Sequence, residues 1–324
     1  MLIAGSDDGV YRIFGVREPG ETTDEKLLDT ERVFRVKWFD ALPGPFAAAK
    51  SGLYHSPDGS DWTKLPFPDE EAYAITASPS GDRLYVGTRP ARLFVADVES
   101  ELPSEADDWD EFVGFRELRE RFDWGLERHD GLAQVRSLCT HPDAPARLVA
   151  GVEVGGVHVS DDGGESWQER CIDHDAPNTD DIHHLHMADA ETLVASTGSG
   201  LYRSTDAGRS WSRLDGEHEQ RYFREAFVHD GTLYAGGAPG SSPSWVDGGH
   251  ALFERHDGEP LESVSSPTPD EVAIGWCVVD GDVLAVTHCG TLLRRESDGW
   301  NVVGSVPTPG RLRGRYLSLT WSDD

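Results

Sequence analysis

Lysine is scarce: Lys26, Lys37, Lys50 and Lys64 are the only four among 29 basic residues. Acids number 59, so the formal net charge is −30. A nucleic-acid binder with a broad phosphate-facing surface needs the opposite balance, and that partner class is excluded. No run approaches 18 apolar residues, which excludes a transmembrane helix and gives no reason to expect a membrane partner. The start, Met1-Leu-Ile-Ala-Gly-Ser-Asp-Asp, lacks the basic and long apolar regions of a signal peptide, so a cytoplasmic location is expected. The four cysteines, Cys139, Cys171, Cys277 and Cys289, show no C-x-x-C spacing and read as free, mostly buried thiols. A metal site from Cys277, His288 and Cys289 is disfavoured, because adjacent strand residues point to opposite faces. No metal and no cofactor are expected.

What is present is a repeat. Ten Trp and 37% hydrophobic residues supply a sizeable core. Seven segments share a β-rich run ending in small residues, a Gly-containing turn and a second β run. They begin at Leu2, Phe46, Leu84, Leu148, Leu193, Leu233 and Val283, a mean spacing of about 47 residues. That length suits a four-stranded propeller blade. A further β run precedes each later pair and is expected as the innermost strand: Arg32–Trp38, Ala72–Ala77, Gln134–Cys139, Ile182–Met187, Tyr222–Val228 and Ile274–Val279. The N-terminus starts at a second strand, and Arg315–Trp321 is an unmatched inner strand. Joining them closes a ring and hides both edges. The expectation is all-β: one seven-bladed β-propeller over 1–324, with an insertion at about 98–131. That insertion is expected to hold an outer strand near Trp109–Val113 and a short amphipathic helix carrying Phe112, Phe115, Arg119 and Phe122.

Two turns read S-x-D-x-G-x-S-W in full: Ser160, Asp162, Gly164, Ser166, Trp167, and Ser204, Asp206, Gly208, Ser210, Trp211. Two more are degraded, at Ser56–Trp62 and Ser297–Trp300. In each, Asp is expected to accept from turn N–H groups, Gly to take a positive φ, and Trp to pack its ring between strands. On these motifs, with Val135–Leu138, Gly151–Gly156 and Asp180–His184, the chain resembles the Asp-box (BNR-repeat) β-propellers, nearest to microbial members labelled sialidase or glycosyl hydrolase-like. The resemblance implies structural boxes set away from any chemistry. A sialidase would carry an F/Y-R-I-P motif, whereas Tyr11-Arg12-Ile13-Phe14 lacks the proline and its Arg12 falls on a third strand. The diffuse acid and scarce lysine also resemble proteins of salt-in halophiles, so −30 reads as adaptation to solvent.

Aligning the inner strands sets Arg35, Arg136, His183, Arg224 and Arg315 at similar depths near the channel mouth, with Tyr73 and Trp276 from the other two blades. Lys50, Arg89, Glu153 and His288 fall on turns at the same rim. Basic residues recur at one structural position where solvent adaptation would place carboxylates. Two readings stay open: arginines paired with acids or carbonyls between blades, or a funnel of guanidinium forks for an anionic small molecule or partner protein. His184 and His186 share a strand face opposite His183, and no third metal ligand is in view. The expectation is a monomeric binding or assembly module with an Arg-rich site and no catalytic residues. The alternative is a glycoside hydrolase using Glu153 and Asp181 at that face.

Overall fold

The computed structural model describes residues 1–17, 22–98, 101–122, 124–125, 130–172, 179–310 and 315–323. Seven four-stranded antiparallel sheets form the blades of a β-propeller. Blade I closes the ring: Ser318–Trp321 is its inner strand and pairs with Leu2–Ser6, with Leu2 opposite Trp321 and Gly5 opposite Ser318. Gly9–Phe14 and Thr23–Asp29 complete it.

The other inner strands are Val33–Trp38, Ala72–Ala77, Gln134–His141, Ile182–Met187, Tyr222–His229 and Ala273–Val279, in blades II to VII. The expected runs coincide with them to within two residues. The expected inner strand at Arg315 instead begins at Ser318. Small residues on the second strands, such as Ala47, Ala48 and Ala49, let neighbouring blades approach closely. The core lies between blades. Phe46, Leu53, Ile75, Leu84 and Phe94 fill the gap between blades II and III, and Val149, Val157, Leu185 and Leu193 the gap between IV and V.

Both full S-x-D-x-G-x-S-W turns fold alike. Ser160 Oγ donates to Asp162 Oδ1 (2.7 Å), and Asp162 accepts from Ser166 N (2.9 Å). Ser204, Asp206 and Ser210 repeat the pattern at 2.8 and 2.8 Å. Gly164 and Gly208 carry φ of 100° and 82°, which a side chain disfavours. These bonds hold both Asp carboxyls down at about 2. The degraded turn keeps part of the device, since Asp58 accepts from the Ser60 and Asp61 amides. Ser297–Trp300 does not: it is a hairpin turn, and Trp300 reaches between blades VI and VII to donate to Glu254 (2.6 Å). Trp167 and Trp211 are half-buried rather than enclosed.

In the expected insertion, Asp110–Glu111 is blade III's outer strand and Val113–Arg121 is a helix. Phe115 and Leu118 are its buried residues; Leu118 takes the place foreseen for Arg119. Residues 99–100, 123 and 126–129 of that stretch lie outside the described residues. Three of the four cysteines are half-buried or exposed, and only Cys277 is buried.

Candidate functional site

The inner strands of blades II to VII share an irregularity that shapes the channel mouth. Each register skips near the strand's start, leaving Phe34, Tyr73, Arg136, His183, the Arg224–Glu225 pair and Ile274 at β-bulges. A bulge re-aims the extra side chain. Arg136, His183 and Arg224 are therefore brought to one wall, as expected. Arg136 and Arg224 border a cavity of about 460 Å³ at the face that carries the turns between second and third strands, and His183 lies against a separate small pocket that it shares with Arg136, Arg224 and Tyr316.

Arg136 forms a buried ion pair with Glu153, and Gln134 Nε2 donates to the same Oε2 (2.7 Å). His183 Nδ1 donates to the Phe223 carbonyl (2.6 Å), which leaves Nε2 as the lone-pair nitrogen, 3.6 Å from Asp181 Oδ1. Burial, then the Arg136 charge, holds His183 well below the ordinary histidine range, so it is neutral. Asp181 packs directly on Gly198, where a Cβ would fall 2.6 Å from Oδ2. Glu153, Asp181 and His183 offer atoms within 4.8 Å of one another, the one group with metal-ligand character among the described residues. The Arg136 guanidinium already occupies the cation position on Glu153.

Arg224 is 8% exposed and donates to the Tyr222 hydroxyl (3.3 Å) and the Arg315 carbonyl (3.1 Å). The cavity wall includes Arg32, Arg89, Arg136 and Arg224, against the carboxylates of Glu153 and Asp181. Asp7 engages Arg32 (2.8 Å), Asp130 lies 3.7 Å from Arg89, and Glu153 holds Arg136. Arg224 alone of the four has no carboxylate at ion-pair distance among the described residues. Between these cations lies Tyr316. The guanidinium carbons of Arg224, Arg136 and Arg32 stand 4.6, 4.9 and 5.8 Å from its ring centroid. Phe34 meets the same ring edge-on and stacks on Tyr73 at 3.8 Å.

The other expected residues lie elsewhere. Arg35 is one residue past the bulge, deeper in the channel, paired with Glu225 (2.8 Å). Arg315 is a strut: it bonds Asp7 (3.2 Å) and the carbonyls of His288, Thr308 and Gly310. Trp276 packs with Tyr234 and Trp300 between blades and borders a deeper cavity. His288 accepts from the Val272 amide and sits against Trp245 and His250. Lys50 is exposed and paired with Glu31. Arg12 is on the third strand of blade I and bonds the Gly59 carbonyl. Sequence reasoning missed Tyr316, Tyr222, Gln134 and the Pro239–Pro243 lip. The Arg315-Tyr316 pair just before the closing strand was the available signal for the first.

No family model matches the chain, and no curated protein matches it. Solved propellers do. A GH74 enzyme from Niastella koreensis superposes with TM-score 0.60 at 12% identity, over 83% of this chain and 45% of that one. The GH74 xyloglucanase from Xanthomonas campestris gives 0.56 at 17%, over 90% and 46%. The WD40 β-propeller domain of Doa1 gives 0.56 at 14%, over 85% and 83%. The chain spans less than half the length of those GH74 enzymes. At these identities the likeness shows the fold alone, and both propeller enzymes and WD40 domains share it.

Proposed function

We propose that the protein is a binding module whose mouth cavity takes an anionic group, from a small molecule or a partner protein, on Arg224 beside Tyr316. The observation that carries this reading is the state of Arg224. A buried guanidinium without a carboxylate is costly unless something supplies the charge, and this one borders a cavity. Its planar fork suits a carboxylate or phosphate. Arg136 contributes field rather than a free fork, because Glu153 holds it.

The test is a thermal-shift screen of acidic sugars, phosphates and carboxylates against wild type and Arg224→Met. The expected result is a stabilising shift for one anion class that the variant loses. Absence of any wild-type shift overturns the reading.

One observation favours glycoside hydrolysis as a second reading. The Glu153 and Asp181 oxygens lie within 4.8 Å, near the roughly 5 Å carboxyl separation of retaining enzymes. On that reading Glu153, ionised against Arg136, is the nucleophile. Trapping of Glu153 by an activated fluoroglycoside would support it.

A further inference from the structure

Below the mouth, toward the opposite face, the channel holds a second cavity of about 200 Å³. Lys37 projects into it from blade II, two residues along the strand from Arg35 and so on the same strand face. From the neighbouring blades the ionisable groups facing it are Arg136, Cys139, His184, His186 and Glu225. Glu225 is the one carboxylate whose field reaches Lys37 among the described residues, and Arg35 already engages it at 2.8 Å. The other lysines differ. Lys26 lies 2.7 and 2.8 Å from Asp8 and Asp29, Lys50 lies 2.8 Å from Glu31, and Lys64 is exposed on an outer strand.

We infer that Lys37 is a carbonyl-reactive amine, and that the inner cavity takes a small anionic aldehyde or α-oxo acid and holds it as an imine on Nζ. The reasoning is independent of the mouth site. An amine is nucleophilic only when unprotonated, and a cationic neighbour inside a low-dielectric channel favours that form. Burial, then the Arg35 charge, acts in that direction, so Lys37 lies below the ordinary lysine range. Among the side chains bordering the cavity, the guanidinium groups of Arg35 and Arg136 face a single carboxylate, Glu225, which favours an anionic ligand. Burial holds the Cys139 thiol protonated and the two histidines neutral, so no thiolate competes for the carbonyl. In the step itself the Nζ lone pair attacks the carbonyl carbon, and the C=O pair moves to oxygen. The two Nζ protons pass to that oxygen, which leaves as water as the nitrogen lone pair closes C=N. No oxidant or reductant is consumed.

The experiment uses glyoxylate with cyanoborohydride near pH 7.5, followed by digestion and mass spectrometry of the four lysine peptides at early times. Lys37 is expected to label at least about five-fold faster than Lys26, Lys50 or Lys64, although all three are more exposed. Lys37→Met keeps an unbranched, uncharged side chain of similar length and should melt like wild type while losing the fast adduct. Labelling that follows exposure, with Lys64 first and Lys37 last, overturns the inference. So does protection of Lys37 by glyoxylate without a trapped adduct.

Discussion

Arg224 stands over the ring of Tyr316 with its guanidinium carbon 4.6 Å from the ring centroid, a contact that ring closure alone creates between blade VI and the segment leading into blade I. The face of the phenol stabilises the cation without neutralising it, leaving the charge available to a ligand. Tyr316→Leu should therefore weaken anion binding by about 0.5–2 kcal/mol, while Tyr316→Phe, which keeps the ring, should bind as wild type. Titration calorimetry with the best anion of the screen reads the difference. Equal binding by the leucine variant would remove Tyr316 from the site.

Arg136 and Glu153 call for a different expectation, since both are almost wholly buried, at 5% and 7% side-chain exposure. Removing one partner strands the other charge away from water, which typically costs about 3–5 kcal/mol. Arg136→Met and Glu153→Gln should each lower stability in urea unfolding. The double variant should cost less than the two singles together, because neither leaves an unpaired ion. Strict additivity would mean that the pair contributes no coupling to the fold.

The blades were legible because their strands announce themselves locally. Ala72–Ala77 is an apolar run and Ile182–Met187 a run of apolar residues and histidines, and the limits of both match the structure residue for residue. The site was legible only in part, because its residues are set by bulges. A period of two carries no sign of an extra residue, so Arg35 aligned with Arg136 although Phe34 holds the equivalent bulge in blade II. Arg315 was misplaced for a related reason. Its strand starts at Ser318, the counterpart of Arg35 by pairing, which puts Arg315 level with Arg32, and both bond Asp7. Tyr316 was signalled only by its place beside Arg315 before the closing strand, and an aromatic there reads as core.

Buried neutral histidines set the response to acid. His158 and His288 are pushed down to about 4 and His186 to about 3, with burial the first cause in each. His183 and His184 lie well below the ordinary value for the same reason. In the unfolded chain these rings take up protons near pH 6.5, whereas the folded chain refuses them. Their contribution is thus fully present above about pH 6.5 and is lost as pH falls toward the folded values, by up to about 1.4 kcal/mol per pH unit for each ring. Urea midpoints at pH 7, 6 and 5 should fall with increasing slope. A flat profile down to pH 5 would show that the rings are hydrated and titrate normally.

Salt acts on two opposed terms, and their sizes decide the sign. Exposed pairs such as Arg17 with Asp280 (2.7 Å) are weakened by screening, but solvent leaves each of them little to lose. Against them stands a net charge of −30 from 59 acids and 29 bases, whose mutual repulsion favours expansion. The screening length falls from about 10 Å at 0.1 M to about 3 Å at 1 M, short enough to quiet repulsion between neighbouring carboxylates. If the charge is an adaptation to a concentrated salt solvent, the melting temperature should rise steadily in KCl from about 0.1 to 2 M. Arg17→Gln should leave that slope unchanged, because one pair is small beside the imbalance. A melting temperature indifferent to salt, or one that falls, would mean that the repulsion among carboxylates is already offset by attraction to nearby arginines, as at Asp280 with Arg17 and Asp161 with Arg147, and the adaptation reading would have to be abandoned.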